Sequence, residues 1–345
     1  MKLASFETIS EILPIEGADR IEIARVQGWQ SVIRKGDYKV GDQVIFVPID
    51  TVLPPAVWNE HLWDKNDPKK PIRVKTVRLR GAVSQGLIFP TSLVSAQEIW
   101  DHSDDPEEDI SIAGMLGITK YEKPVPAHLA GQVKGDFPTH LVSKTDEDNL
   151  KSNIEVLEEL KEADFVEATI KYDGTSATYI REIDSFSVCS RNLELKDTES
   201  NVHWQMARKY NIWDNVKPGY AIQGEISGPG IQGNPAGFEE VSLNVFNVIN
   251  LYFRKPVDRD SWDQVFTDIP RVVRYWRWNK EEFAKETIDS LQEFVNEVKY
   301  GNGRYVEGRY VEGLVFRGIK DGKIMESEKL RKMLSVKIIN QNYKD

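Results

Sequence analysis

Short β-rich runs broken by glycine recur through the chain, and no strand–helix–strand unit repeats in a regular βαβ order. That pattern argues against a doubly wound parallel sheet and for antiparallel strands joined by turns. Ile21–Val26, Gln30–Arg34, Gln43–Pro48 and Ile72–Leu79 read as strands, punctuated by Gly28, Gly36, Gly41 and Gly81. Several short strands with regular turns predict a small barrel, with the OB-fold leading and a generic β-sandwich as the alternative. Residues 117–143 hold Pro124, Pro126 and Pro138 without a sustained period and read as a linker. A helix is expected within Asn149–Ala163, with Ile154, Leu157 and Leu160 on one stripe. A second is expected over Glu281–Lys299, where Phe283, Ile288, Leu291, Phe294, Val295 and Val298 share a face and Gly301 follows. The expected class is therefore α+β. An OB-fold barrel spans 1–116, and a domain of antiparallel sheets flanked by helices spans 144–345.

The 345 residues suffice for two ordinary domains. No run of about 18 apolar residues appears, so no membrane span is expected. Met1–Ser5 leads straight into alternating sequence rather than a signal-peptide core. The single cysteine, Cys189, excludes an internal disulfide and a multi-cysteine metal site. An intracellular, cytoplasmic location is the expectation. The net charge of −10 argues at first against a nucleic-acid partner. Its distribution answers that objection. Residues 101–164 carry 6 Lys+Arg against 16 Asp+Glu, whereas 1–100 carry 13 against 12 and 165–345 carry 26 against 27. Both ends therefore retain room for local basic faces. In the first, Arg73, Lys75, Arg78 and Arg80 make a dense basic strand. It is either a nucleic-acid contact or a solvated edge.

Five short motifs carry chemistry. In Lys171-Tyr172-Asp173-Gly174, residues two apart on a strand share a face, so Lys171 and Asp173 would point into one pocket. A lysine amine attacks phosphorus only when neutral, and its reference pKa is about 10.4, so nearby cations or a metal must lower it. The bland reading is a surface turn, since Asp-Gly is a common turn pair. Gln223-Gly224-Glu225-Ile226 places one carboxylate in an apolar strand, where it needs a partner such as a sugar hydroxyl or a cation; a structural salt bridge is the alternative. Phe246 lies in a β-rich run and could stack on a purine or simply fill a core. Glu312 stands at the mouth of the apolar strand Leu314–Phe316, a position suited to a hard metal such as Mg²⁺. Arg304–Gly308 is copied as Arg309–Gly313, so Glu307 competes with Glu312; only Glu312 leads directly into Leu-Val-Phe. Lys337 sits in the apolar strand Ser335–Ile338, either meeting an anion or facing water on an edge. Arg191, in Ser190-Arg191-Asn192, adds a candidate for phosphate or ribose.

In this order and spacing the motifs resemble those shared by DNA ligases, RNA ligases and mRNA capping enzymes, over nearly the whole chain. Ser190-Arg191-Asn192, Gly224-Glu225 followed by Gly228–Asn234, and Lys144–Glu147 resemble RNA ligases in particular. Ile15–Asp19, Lys35-Gly36 through Asp42, and Arg80-Gly81 through Leu87 resemble a nick-sealing subfamily with an OB module ahead of the nucleotidyltransferase domain. DNA ligases and capping enzymes normally carry that domain after the last motif, and only eight residues follow Lys337 here.

The resemblance implies an ATP-dependent RNA ligase that uses Mg²⁺ or Mn²⁺ and acts on RNA or an RNA/DNA duplex with a nick, as a monomer. Lys171 would become lysyl-AMP, and Asp173 would organise metal-bound water. Arg191 would contact the nucleotide or the 5′-phosphate, and Glu225 the ribose. Phe246 would stack on adenine, Glu312 would hold the metal, and Lys337 would meet the α-phosphate. Two positions depart from related ligases. Ile170 stands where a Glu often precedes the nucleophile, and Ser335 replaces the first lysine of Lys-x-Lys, so one fewer positive charge would meet the triphosphate. A DNA nick ligase and a non-catalytic RNA-binding OB protein are the competing readings.

Overall fold

The computed structural model describes residues 2–94, 112–121, 131–301 and 308–343. The chain divides into two compact units, one of residues 1–124 with 151–154 and one of 125–150 with 155–345.

In the first unit, alternation of apolar residues builds an antiparallel five-stranded sheet. Its order is Trp29–Arg34, Ile21–Val26, Ser5–Pro14, Gln43–Val47 and Leu87–Pro90. Gln43–Val47 is buried on both faces. Val44 and Phe46 join Ile9, Val26 and Trp29 in one core, while Ile45 and Val47 join Leu53, Val74 and Phe89 in another. Period-two side-chain direction makes one strand serve both. A second, three-stranded sheet pairs Thr119–Lys120, Thr51–Leu53 and Ile72–Arg73. Residues 117–143, read from sequence as a linker, thus give one strand to this sheet, and Val133–Asp136 to a sheet of the second unit. The expected strand Ile72–Leu79 is two pieces, Ile72–Arg73 and Val77–Leu79. Between them Val74 turns into the core at 4% exposure, bonded to Thr51 and Asp50 through its backbone. Arg73 pairs with Asp50 at 2.9 Å and stacks over Tyr121, while Lys75, Arg78 and Arg80 are exposed.

The second unit is built on two large sheets, with a small two-stranded one of Glu326–Ser327 and Lys332–Met333 beside them. One runs Val133–Asp136, Leu193–Leu195, Phe186–Cys189, Thr175–Arg181, Tyr220–Ser227, Ser242–Asn250 and Lys255–Pro256. The other runs Asp148–Asn149, Ser335–Ile339, Gly313–Lys320, Phe165–Lys171 and Arg274–Asn279, with a sixth strand, Lys323–Ile324, paired to Gly313–Lys320. Strand Phe165–Lys171 belongs to one sheet and Thr175–Arg181 to the other, so Tyr172-Asp173-Gly174 is the crossing between them. A methyl group on Gly174 would lie against the Ile226 carbonyl and 2.6 Å from Ser227 Oγ, so only glycine lets the chain cross here.

The expected helix Glu281–Lys299 is broken into Lys280–Phe283 and Ile288–Glu297. Two capping boxes account for the break: Asn279 with Glu282, and Thr287 with Ser290. The apolar stripe survives the interruption, with Phe283, Leu291 and Val295 fully buried. The helix expected within Asn149–Ala163 covers Val156–Lys161 only, and Ile154 lies outside it, 40% exposed. No helix of the described residues is long and apolar enough to cross a membrane.

Candidate functional site

Strand register assembles the site. Lys171 ends its strand opposite Gly313 of the neighbouring strand, so Glu312, one residue earlier, arrives beside the amine. Lys171 Nζ donates to Glu312 Oε2 at 2.6 Å, both side chains being largely shielded. Glu307, the competing copy, lies outside the described residues. On the other sheet Glu225 pairs with Ser176, two residues past Gly174. Lys337 pairs with Val315, next to the strand that Glu312 precedes.

The electrostatics are those of a carboxylate surplus around one ammonium. Burial alone would lower the Lys171 pKa, but Glu312, Glu225 and Asp173 together raise it above the usual lysine value. Burial pushes Glu225 up to about 8, with Glu312 and Asp173 adding to the rise and Lys171 and Arg191 opposing it. Glu312 is likewise raised, by burial and by Asp173, against Lys171 and Lys337. Lys171, Asp173, Glu225 and Glu312 therefore share one field, with Arg191 acting on Glu225 and Lys337 on Glu312. The lysine is held as an ammonium, which is no nucleophile.

Such a surplus of oxygen donors suits a hard divalent cation. Among the described residues no group of three or more His, Cys, Asp and Glu is arranged as a metal cage. A cation shared between one or two carboxylates and a phosphate ligand needs no such cage.

The short segment Lys144–Glu147 ties the surroundings together. Lys144 Nζ donates to Asn192 Oδ1 at 2.9 Å, Thr145 Oγ1 meets Ser176 Oγ at 2.7 Å, and Asp146 takes Arg191 at 2.7 Å. Glu147 Oε1 accepts from Ser335 Oγ at 2.9 Å and lies 3.5 Å from the Arg317 guanidinium. Arg317 in turn donates to Ser335 Oγ at 3.1 Å and to the Phe246 carbonyl at 2.6 Å. Ser335, read from sequence only as a missing charge, is thus a hydroxyl relay between a buried arginine and a carboxylate. The Phe246 ring packs, partly buried, against the core of the six-stranded sheet. Two further residues had no sequence signal: Arg317, one arginine in an apolar run, and Tyr343, whose hydroxyl donates to Asp173 Oδ2 at 2.8 Å. A cavity of about 420 Å³ opens elsewhere on this unit, among Phe186, Trp204, Arg208 and Trp213, and none of the candidate residues lines it.

Comparison with known proteins follows this geometry. An OB-fold domain model matches residues 3–91, and the RNA ligase family model matches residues 164–333. No curated protein sequence matches the chain. Among solved structures, Naegleria gruberi RNA ligase with PPi is 30% identical at a TM-score of 0.77, covering 99% of this chain and 97% of that one. A lysine-to-alanine mutant of the same ligase with ATP and Mn is 30% identical at 0.76, covering 98% and 97%. A lysine-to-methionine mutant with AMP and Mn is 30% identical at 0.77, covering 99% and 97%. The chain belongs to the RNA ligases of the nucleotidyltransferase superfamily, with an OB-fold domain ahead of the ligase domain.

Proposed function

We propose that the chain is an ATP-dependent RNA ligase in which Lys171 carries AMP, and that it seals 3′-OH/5′-phosphate nicks in duplexes. The observation that carries this reading is the Lys171 amine set 2.6 Å from Glu312, with Asp173 and Glu225 in the same field. The likeness to a ligase solved with ATP, AMP and Mn supports the choice of nucleotide and metal.

ATP enters as a substrate. Lys171 Nζ, once its proton has left, forms a bond to the α-phosphorus as the bond to pyrophosphate breaks. The proton leaves through the hydrogen bond to Glu312 Oε2 and passes on to solvent, so the carboxylate stays ionised. A 5′-phosphate oxygen then attacks the same phosphorus and frees the amine. In the last step the 3′-hydroxyl attacks the 5′-phosphorus and AMP departs. Each transfer needs in-line placement and compensation of charge on the phosphate oxygens. Lys337 and Arg191 supply cationic compensation from this chain, Glu225 holds the ribose hydroxyls, and Phe246 stacks on the base. A divalent cation, when bound, adds Lewis-acid compensation at those oxygens, and Glu312 and Asp173 are the residues that would hold it. The first unit supplies groove-tracking contacts to the polynucleotide, with Lys75, Arg78 and Arg80 among its exposed cations.

Incubation with ATP labelled in its α-phosphate and Mn²⁺ tests the reading. Wild type should retain label through denaturation and Lys171→Ala should not. Label that persists in the variant removes Lys171 from its role, and no label in wild type leaves an RNA-binding protein without catalysis. Sealing of nicks whose 3′-OH strand is RNA or DNA then tests the substrate, and equal rates would favour a DNA nick ligase.

A further inference from the structure

The residues after the last strand, Ser335–Ile339, contain no catalytic motif, yet they are tied into the site more tightly than most of the surface. Asn340, at 2% exposure, sends its side-chain amide to the carbonyls of Val295 and Val298 at 2.8 and 3.3 Å. These carbonyls lie at the C-terminal end of helix Ile288–Glu297, where Val295 O also accepts from Val298 N and Val298 O from Val311 N, both at 3.2 Å. Asn296 in that turn accepts from Gln341 N at 2.8 Å and from Asn342 Nδ2 at 3.1 Å. Asn342 N closes on Asn340 Oδ1 at 2.8 Å. The Asn340 backbone N–H donates to the Glu312 carbonyl at 2.9 Å. A ladder of amide side chains thus mounts residues 340–343 on a helix end and on the backbone of Glu312.

That mount delivers one functional group. Tyr343 OH donates to Asp173 Oδ2 at 2.8 Å, across 170 residues of sequence. The Asp173 backbone is held as well, since Ser227 Oγ donates to its carbonyl at 3.2 Å. With the backbone pinned and one carboxylate oxygen engaged, the direction of the other oxygen is set.

We propose that the 340–343 segment is a working part of the site and that Tyr343 is the positioning residue for Asp173. This inference rests on the reading of Lys171, Asp173 and Glu312 given above. Outer hydrogen bonds to a ligating carboxylate fix its rotamer, and their loss typically costs roughly tenfold or more in metal affinity. A tyrosine present only for packing would be replaced by phenylalanine without such a loss.

The test is Tyr343→Phe, which keeps the ring and removes the hydroxyl. Mn²⁺ binding is measured first with AMP present as the phosphate ligand, by the electron paramagnetic resonance of the free ion, AMP without protein giving the baseline. The dissociation constant should rise about tenfold, with the thermal unfolding midpoint unchanged. Adenylylation followed against Mn²⁺ concentration should show the same displacement of the midpoint, the rate at saturating metal being retained. Unchanged Mn²⁺ binding overturns the proposal whatever happens to the rate. So does a rise in the dissociation constant matched by a lowered unfolding midpoint, which would make Tyr343 a structural residue. Asp173→Asn serves as the comparator. If it labels with AMP as wild type does, the reading of the site itself fails. If it is inactive while Tyr343→Phe binds Mn²⁺ normally, the site reading stands and the role of Tyr343 falls.

Discussion

Glu225→Gln should make this protein more stable at alkaline pH while impairing its chemistry. The carboxyl is pushed from 4.5 up to about 8, chiefly by burial and then by Glu312 and Asp173. A carboxyl raised in the folded state favours folding most when protonated. Its contribution is fully present below the unfolded value of 4.5, declines as pH climbs, and is gone above about 8. The rise from 4.5 to about 8 amounts to about 5 kcal/mol, at about 1.36 kcal/mol per pH unit. Glutamine mimics the neutral acid at every pH, but its extra N–H, if unmet, costs about 1–3 kcal/mol. The net gain expected for the variant is therefore about 2–4 kcal/mol at about pH 9, shrinking to zero or below at about pH 5. Chemical denaturation of both proteins across this range, followed by tryptophan fluorescence, measures the gap. A difference that does not change with pH would refute the reasoning, because the charge on Glu225 would then carry no cost. Covalent AMP labelling of the same variant should fall, since the ribose contact proposed for Glu225 is altered.

Gly174→Ala should cost about 1–3 kcal/mol in unfolding free energy and abolish labelling, because the new methyl group meets the Ile226 carbonyl and Ser227 Oγ at the crossing between sheets. Cys189 is buried and its thiol is pushed up to about 12, by burial and then by Glu194 against Lys134. A thiol-specific chromogenic disulfide should therefore react with it only after denaturant is added. Thr287→Ala removes the acceptor of the Ser290 amide at 3.1 Å and should lower stability by about 1 kcal/mol, read from the denaturation midpoint.

How much was legible depended on how local the cause was. Ile21–Val26 and Gln43–Val47 follow from alternation within a few residues, and the strands form there. Over Glu281–Lys299 the apolar stripe was visible but its interruption was not, because a shared face does not reveal that Asn279 and Thr287 each start a new helix. The run Ile72–Leu79 looked continuous since its charges fall on both parities, and only the pairing of Val74 with Thr51 shows where it turns inward. At the site, residue type and order singled out Lys171, Glu225 and Glu312. Register then decided which of them touch, and register is a property of two strands that no single stretch contains. Ser335 shows the same limit, because a substitution judged by its own charge proves to matter through Glu147 and Arg317. Tyr343 lay beyond reach altogether, as an aromatic in a polar tail has no period and no motif.

Lys171 and Glu312 stand 141 residues apart in the chain. Bringing two such distant points together closes a long loop, whose entropy must be lost before the contact returns any energy. The reactive corner is therefore expected to knit late in folding, after the local hairpins have formed. A polypeptide still emerging, with Phe165–Lys171 already out and residues 312–320 not yet made, offers a lysine without its Glu312 partner. The Lys171–Glu312 pair is in this way expected only once both distant segments are available.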